Sequence, residues 1–173
     1  VFGQDNAVWR VAVFAVDLAF FSNRCALFKL LSAVVAEIKI GRMVLSMCQT
    51  NCYFLYRDGE KDAIVVDPAD QGQSIYSALQ RNGFRVAGIL LTHGHFDHIW
   101  GLDALRDAAN AAAESDGLDA VKAYAFEGER DVLKNPHLNV SDQVGRPCAT
   151  YADVYVKDGQ EITIAGMTCK AIS

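Results

Sequence analysis

The stretch Thr92-His93-Gly94-His95-Phe96-Asp97-His98 decides how this chain reads. It holds three of the protein's four histidines and an aspartate, directly after the apolar run Ile89-Leu90-Leu91. In an extended segment, side chains two apart point to the same face, so His93 and His95 can converge on one ion. Gly94 between them permits close backbone approach. Asp97 and His98 are adjacent, at the mouth of a predicted helix whose N-terminal dipole favours an ionised carboxylate. Joining them to the ion of His93 and His95 would strain the chain, so the spacing points to a second, neighbouring ion. Imidazole and carboxylate donors without thiolate suit Zn2+, Fe or Mn and leave positions open for water. Two such ions would acidify a bridging water to hydroxide and polarise a carbonyl, which is hydrolysis without a serine or cysteine nucleophile.

The flanking sequence supplies the frame for this stretch. Ile38-Lys39-Ile40 and Met43-Val44-Leu45, then Asn51 to Tyr56, then Ala63-Ile64-Val65-Val66 read as strands joined by tight turns, Asp58-Gly59 among them. Three strands so connected predict an antiparallel meander, closed by Asp67-Pro68 because proline cannot extend a ladder. A helix follows, with Ile75, Ala78 and Leu79 on one face, Ser74 as its cap and Gly83 just past its end. Val86 to Leu91 reads as a buried strand, firmest at Ile89-Leu90-Leu91 because Gly88 weakens the first half. A helix from Asp97 or His98 would carry Leu102, Leu105, Ala109 and Ala112 on one stripe until Ser115-Asp116-Gly117. Beyond it come a strand over 121–126, a short helix over 127–134, a loop over 136–150 and three strands. Those last strands are Val154-Tyr155-Val156, Glu161 to Ile164 and Met167 to Ile172. The fold class is therefore mixed α/β, a sheet covered by helices.

With 173 residues, 51% of them hydrophobic and 21% charged, the chain can bury a sizeable core. A net charge of -5 and the lack of a basic block exclude a surface built for nucleic acid. Five cysteines, an odd count in which Cys48 and Cys52 stand four apart with no second pair to join them, fit reduced thiols in a cytoplasmic protein. Arg10 and Asp17 interrupt the short apolar run Val8 to Phe21, so no membrane span is expected. Residues 1–36 read as an N-terminal extension, with an amphipathic helix or spurious upstream translation as the plain explanation. Starting at Val1 and stopping at Ser173 straight after an apolar alternation, the chain reads as a fragment.

The H-x-H-x-D-H pattern of His93, His95, Asp97 and His98 resembles the signature of the metallo-β-lactamase superfamily. Asn51-Cys52-Tyr53, Val65-Val66-Asp67-Pro68, Leu90-Leu91-Thr92-His93 and Gly101 resemble in particular the glyoxalase II-like hydroxyacylglutathione hydrolases. The resemblance covers residues 37–173 and implies an αβ/βα sandwich, incomplete here, with metals at one edge. It implies His93 and His95 as ligands of the first Zn2+, and Asp97 and His98 as ligands of the second, Asp97 serving catalysis as well. Asp67 and Thr92 would steady the metal loop. The family completes its site with a further histidine in a Pro-Gly-His-Thr turn, a bridging aspartate and a last histidine. Ser173 ends the chain about where that turn would begin, and His137 precedes three strands in a loop, as a surface residue does. The expected function of the intact protein is thioester hydrolysis by a metal-bound hydroxide, with a small-molecule substrate such as a glutathione thioester and this chain inactive alone. Two other classes compete with it. One is a mononuclear iron persulfide dioxygenase, and the other is a non-catalytic remnant or binding module.

Overall fold

Three neighbouring strands joined by short turns open the main sheet. The computed structural model describes residues 12–13 and 37–172. The extension over residues 1–36, with the helix expected in it, lies outside the described residues apart from a two-residue strand, β1 (Ala12–Val13). Strands β2 (Ile38–Leu45), β3 (Thr50–Arg57) and β4 (Asp62–Val66) form the expected antiparallel meander, and Gly59 takes a φ of 80° in the turn before β4. From β4 onward the pairing is parallel, through β5 (Arg85–Leu90), β6 (Ala123–Phe126) and β7 (Val154–Val156). The order β2-β3-β4-β5-β6-β7 makes one six-stranded sheet, and β8 (Glu161–Ile164) and β9 (Met167–Lys170) form a second sheet with β1. Parallel neighbours need crossovers, which is why, among the described residues, helices enter only after β4.

Alternation along the strands sends side chains to two different cores. On one face Cys52, Val65, Ile89, Ala123 and Ala125 meet helices α1 (Gly72–Arg81) and α3 (Leu102–Ser115), through Ile75, Leu79, Leu102, Leu105 and Ala109. On the other, Leu55, Ile64, Val66 and Leu90 meet Ile164, Met167 and Cys169 of the second sheet. The layers are therefore helices, large sheet and small sheet, the mixed α/β class that the sequence predicts. No helix among the described residues is long and apolar enough to cross a membrane.

Several local expectations are corrected by contacts between elements. The first helix starts at Gly72 behind Gln71, and no side chain caps it, so Ser74 sits inside the first turn. Gly72 is placed there by packing, since a Cβ on it would stand 2.0 Å from the Gly101 carbonyl oxygen and 2.5 Å from Leu105 N. The single helix expected from Asp97 is two, α2 (Phe96–Ile99) and α3, because Gly101 donates its N–H to Pro68 O at 2.8 Å. Along α3 the inward place falls to Ala113 rather than Ala112, and Arg106 is also buried, paired with Asp103 at 2.6 Å. Gly88 does not shorten β5. It lets the small sheet approach, for a Cβ there would be 2.7 Å from Ile164 Cγ2. The strand expected over 121–126 begins at Ala123, and α4 (Arg130–Lys134) follows a 3-10 turn over Glu127–Glu129.

Replacing Gly72 with Ala forces α1 away from Gly101 and is expected to cost about 1–3 kcal/mol. Ser74→Ala, at an exposed position without a cap bond, should stay within about 0.5 kcal/mol. Urea unfolding of both variants checks the pair.

Candidate metal centre

The site begins where β4 stops. Asp67 turns left-handed, with φ 52°, and its N–H reaches Leu90 O at 3.0 Å. Aspartate tolerates that conformation better than most side chains. The turn aims a carboxylate that is only 5% exposed at both ends of the histidine stretch. Oδ1 accepts the Thr92 N–H at 2.8 Å, and Oδ2 accepts the Thr92 hydroxyl at 2.6 Å and lies 2.9 Å from His98 Nδ1. Asp67 and Thr92 are thus bonded to each other and, through them, to His98 and His93.

This network assigns the ring protons. The Thr92 hydroxyl donates to Asp67, so at 3.0 Å its oxygen accepts from His93 Nδ1. His98 Nδ1 donates to Asp67, which turns His98 Nε2 toward Asp97 Oδ2 at 3.5 Å. His93 and His98 therefore both present Nε2. Their ring centroids are 4.1 Å apart, and the His95 ring stands 4.7 Å from His93, nearly perpendicular to it. The His95 ring makes no hydrogen bond among the described residues. Asp97, in the first turn of α2, accepts the Thr50 hydroxyl on Oδ2 at 2.6 Å.

Burial, together with the charges of His98 and His95, pulls His93 down to about 4, so it is neutral near pH 7, the form that binds metal. Burial also works against the charge on His98, but the hydrogen bond and charge of Asp67, aided by Asp97, outweigh it and raise His98 above the usual histidine value. The adjoining Cys52 thiol is pushed up to about 12 by burial and by the charge of Asp67, so it stays protonated and inert. Cys48, Cys52, Cys148 and Cys169 are all free.

The fold brings His93, His95, Asp97 and His98 into one cluster at the carboxyl end of β5. Among the described residues no group of three or more His, Cys, Asp or Glu side chains is placed so that it could hold a metal ion. The donors nevertheless fit a divalent cation. They are imidazole and carboxylate groups, and the second nitrogen of two rings is engaged by a hydroxyl or a carboxylate, the usual support for a histidine ligand. His137 lies apart, 78% exposed and 3.1 Å from Asp142, as a surface residue.

Three supports had no signal in the sequence. Thr50 meets Asp97 from 47 residues away, Glu129 accepts the Gly94 N–H at 2.8 Å from 35 residues away, and Asn139 O accepts the Phe96 N–H at 3.0 Å. Asn139 anchors a loop that composition marks only as irregular. It is fully buried, its Nδ2 donates to Cys148 O at 2.9 Å, and the loop is latched again where Arg146 bonds Asp70 at 3.1 Å and stacks on Trp100.

Known proteins resemble the chain along the same stretch. The family model of the metallo-β-lactamase superfamily matches residues 45–168. A probable metallo-hydrolase, YqgX, of Bacillus subtilis (strain 168) is 32% identical over 104 residues, 60% of this chain and 44% of that protein. A hydroxyacylglutathione hydrolase of Chromohalobacter salexigens is 42% identical over 53 residues, 31% of this chain and 20% of that enzyme. The crystal structure of BLEG-1, a B3 metallo-β-lactamase, superposes with a TM-score of 0.60 at 32% identity, covering 75% of this chain and 58% of that one. The chain spans less than half the length of the curated relatives it matches, 44% and 40% for two of them.

Asp67→Ala removes the acceptor for three donors and should lower stability by about 3 kcal/mol. Asp67→Asn keeps the left-handed turn and one acceptor oxygen and should lose clearly less. Equilibrium unfolding in urea distinguishes them.

Proposed function

The chain belongs to the metallo-β-lactamase superfamily, and on that premise we propose that it carries the metal-binding edge of a hydrolase acting on a small thioester. The observation that carries the reading is the meeting of three imidazoles and the Asp97 carboxylate at the end of β5, with Nε2 of His93 and His98 turned toward the cluster. In this reading His93 and His95 hold a first ion, and Asp97 and His98 hold a second. Bound there, the metal supplies an activated water and a polarised carbonyl. The chain's own part is to keep those donors in place. Thr92 holds the Nδ1 proton of His93, Asp67 holds that of His98, and Thr50 fixes the Asp97 carboxylate.

Zn2+ is the metal we assign, two ions in a complete site, because the donors are imidazole and carboxylate without thiolate. Fe and Mn are the alternatives on the same chemistry. The thioester reading is supported by the match to a hydroxyacylglutathione hydrolase, and a hydroxyacylglutathione thioester is the substrate class it suggests. Among the described residues the converging donors number two for each ion, whereas zinc sites generally use three or four protein ligands. Activity, substrate and partners are therefore proposed for the whole protein. Residues 37–173 would be its metal-binding portion and residues 1–36 an extension to it.

Zn2+ titration by calorimetry tests the ligand set. Residues 1–173 should bind weakly, turn over no thioester, and lose at least about tenfold in affinity when His95→Ala and Asp97→Ala are combined. Unchanged affinity in that double variant would refute the assignment and favour a non-catalytic module. The whole protein, loaded with Zn2+, should hydrolyse S-lactoylglutathione and leave the β-lactam nitrocefin intact. The opposite preference would displace the thioester reading. One bound iron with oxygen consumption would point instead to a persulfide dioxygenase.

A further inference from the structure

Between Leu91 and His95 the chain forms no helix or strand, so the peptide N–H groups of this stretch need acceptors elsewhere. Alternate residues find them on three separate segments. Thr92 N–H goes to Asp67 Oδ1 at 2.8 Å, Gly94 N–H to Glu129 Oε2 at 2.8 Å, and Phe96 N–H to Asn139 O at 3.0 Å. In extended backbone, groups two apart leave on the same side, so one series of anchors can hold the stretch while His93 and His95 project together.

The middle anchor comes from the residue that precedes α4. The Glu129 side chain makes no hydrogen bond to that helix and reaches instead to the peptide between the two histidines. The contact is close as well as polar: a Cβ on Gly94 would stand 3.2 Å from Glu129 Oε2, 3.0 Å from Val132 Cγ1 and 3.3 Å from Leu133 Cδ2. Gly94 is buried, so losing the acceptor would strand its N–H. A glycine peptide without that restraint turns easily, and the histidines on either side turn with it.

We propose that Glu129 is a positioning residue of the metal centre, its carboxylate holding the Gly94 peptide so that His93 and His95 keep a fixed separation. The inference rests on reading those two histidines as ligands. Glu129 touches neither metal nor substrate and acts only through the backbone.

Two readouts on the full chain test it. In the metal-free protein, NMR should show the Gly94 amide shifted and protected from hydrogen exchange. Both properties should be lost in Glu129→Ala and kept in Glu129→Gln, which retains an acceptor oxygen. With Co2+ as the probe, Glu129→Ala should weaken binding about tenfold and alter the visible absorption of the bound ion, a size typical of losing a support behind a metal ligand. Glu129→Gln should restore both. Glu129→Asp, one methylene too short, should behave like Ala and replaces it if the Ala variant does not fold. Folded Ala or Asp variants with an unchanged Gly94 amide and unchanged Co2+ binding would overturn the proposal. If the unaltered chain takes up no Co2+, the metal reading fails. The Gly94 amide then decides on Glu129 alone, and protection retained in Glu129→Ala would sink it.

Discussion

The buried Asp67 carboxylate is the constraint on which the histidine stretch depends. A carboxylate that is 5% exposed is tolerated only when donors replace the water it has lost. Three do so, two from Thr92 and one from His98. To face them, the chain accepts a left-handed residue at the end of β4 and another four positions later at Gln71. Strain of that kind costs about 1–3 kcal/mol per residue and persists only where the surroundings enforce it. Here they do. Pro68 O, inside the same turn, takes the Gly101 N–H, so one short segment ties down both ends of the region that carries the donors.

The same carboxylate sorts the histidines. His93, which reaches Asp67 only through the Thr92 hydroxyl, has its charge opposed by burial and by its two neighbours. His98 bonds the carboxylate directly and keeps its charge more readily than a free imidazole. Two rings whose centroids are 4.1 Å apart thus differ in protonation preference, since burial and the neighbouring histidines prevail at His93 while the bond and charge of Asp67 offset burial at His98. Both remain fixed at Nδ1, which is the condition for presenting Nε2 in a defined direction.

Features set by local pattern were legible in the sequence. The meander from Ile38 to Val66, the buried strand before Thr92, and the grouping of His93, His95, Asp97 and His98 all follow from alternation, turn dipeptides and spacing. Features set by one element touching another were not. Ser74 has the chemistry of a cap, but Gly72 must lie under the Gly101 carbonyl, and that contact starts the helix earlier. The apolar stripe beyond Asp97 looks like one helix, yet the bond from Gly101 to Pro68 divides it. Thr50, Glu129 and Asn139 carry no motif at all, because what matters is a hydroxyl, a carboxylate or a carbonyl arriving from a distant segment. Gly94 signals close backbone approach, but the neighbours that press on it, Val132 and Leu133, belong to a short helix with no chemical signature.

Those distant anchors make the donor cluster a property of the whole fold. Helix α2 has four residues, far too few to persist by its own hydrogen bonds. It holds its shape because Asn139 bonds its first N–H, Thr50 bonds Asp97, Asp67 bonds His98, and the Phe96 ring packs at a tilt against Trp100 with centroids 4.6 Å apart. These partners belong to β3, to the turn after β4 and to the loop before β7, so the helix is ordered only when the layers around it have assembled. The ordering cost is then met during folding rather than at the moment of binding, which is how a fold prepares a site before any ligand arrives. By linkage, whatever binds the assembled cluster and not the unfolded chain must stabilise all of these segments together. Stability and site geometry are therefore coupled through the same few hydrogen bonds.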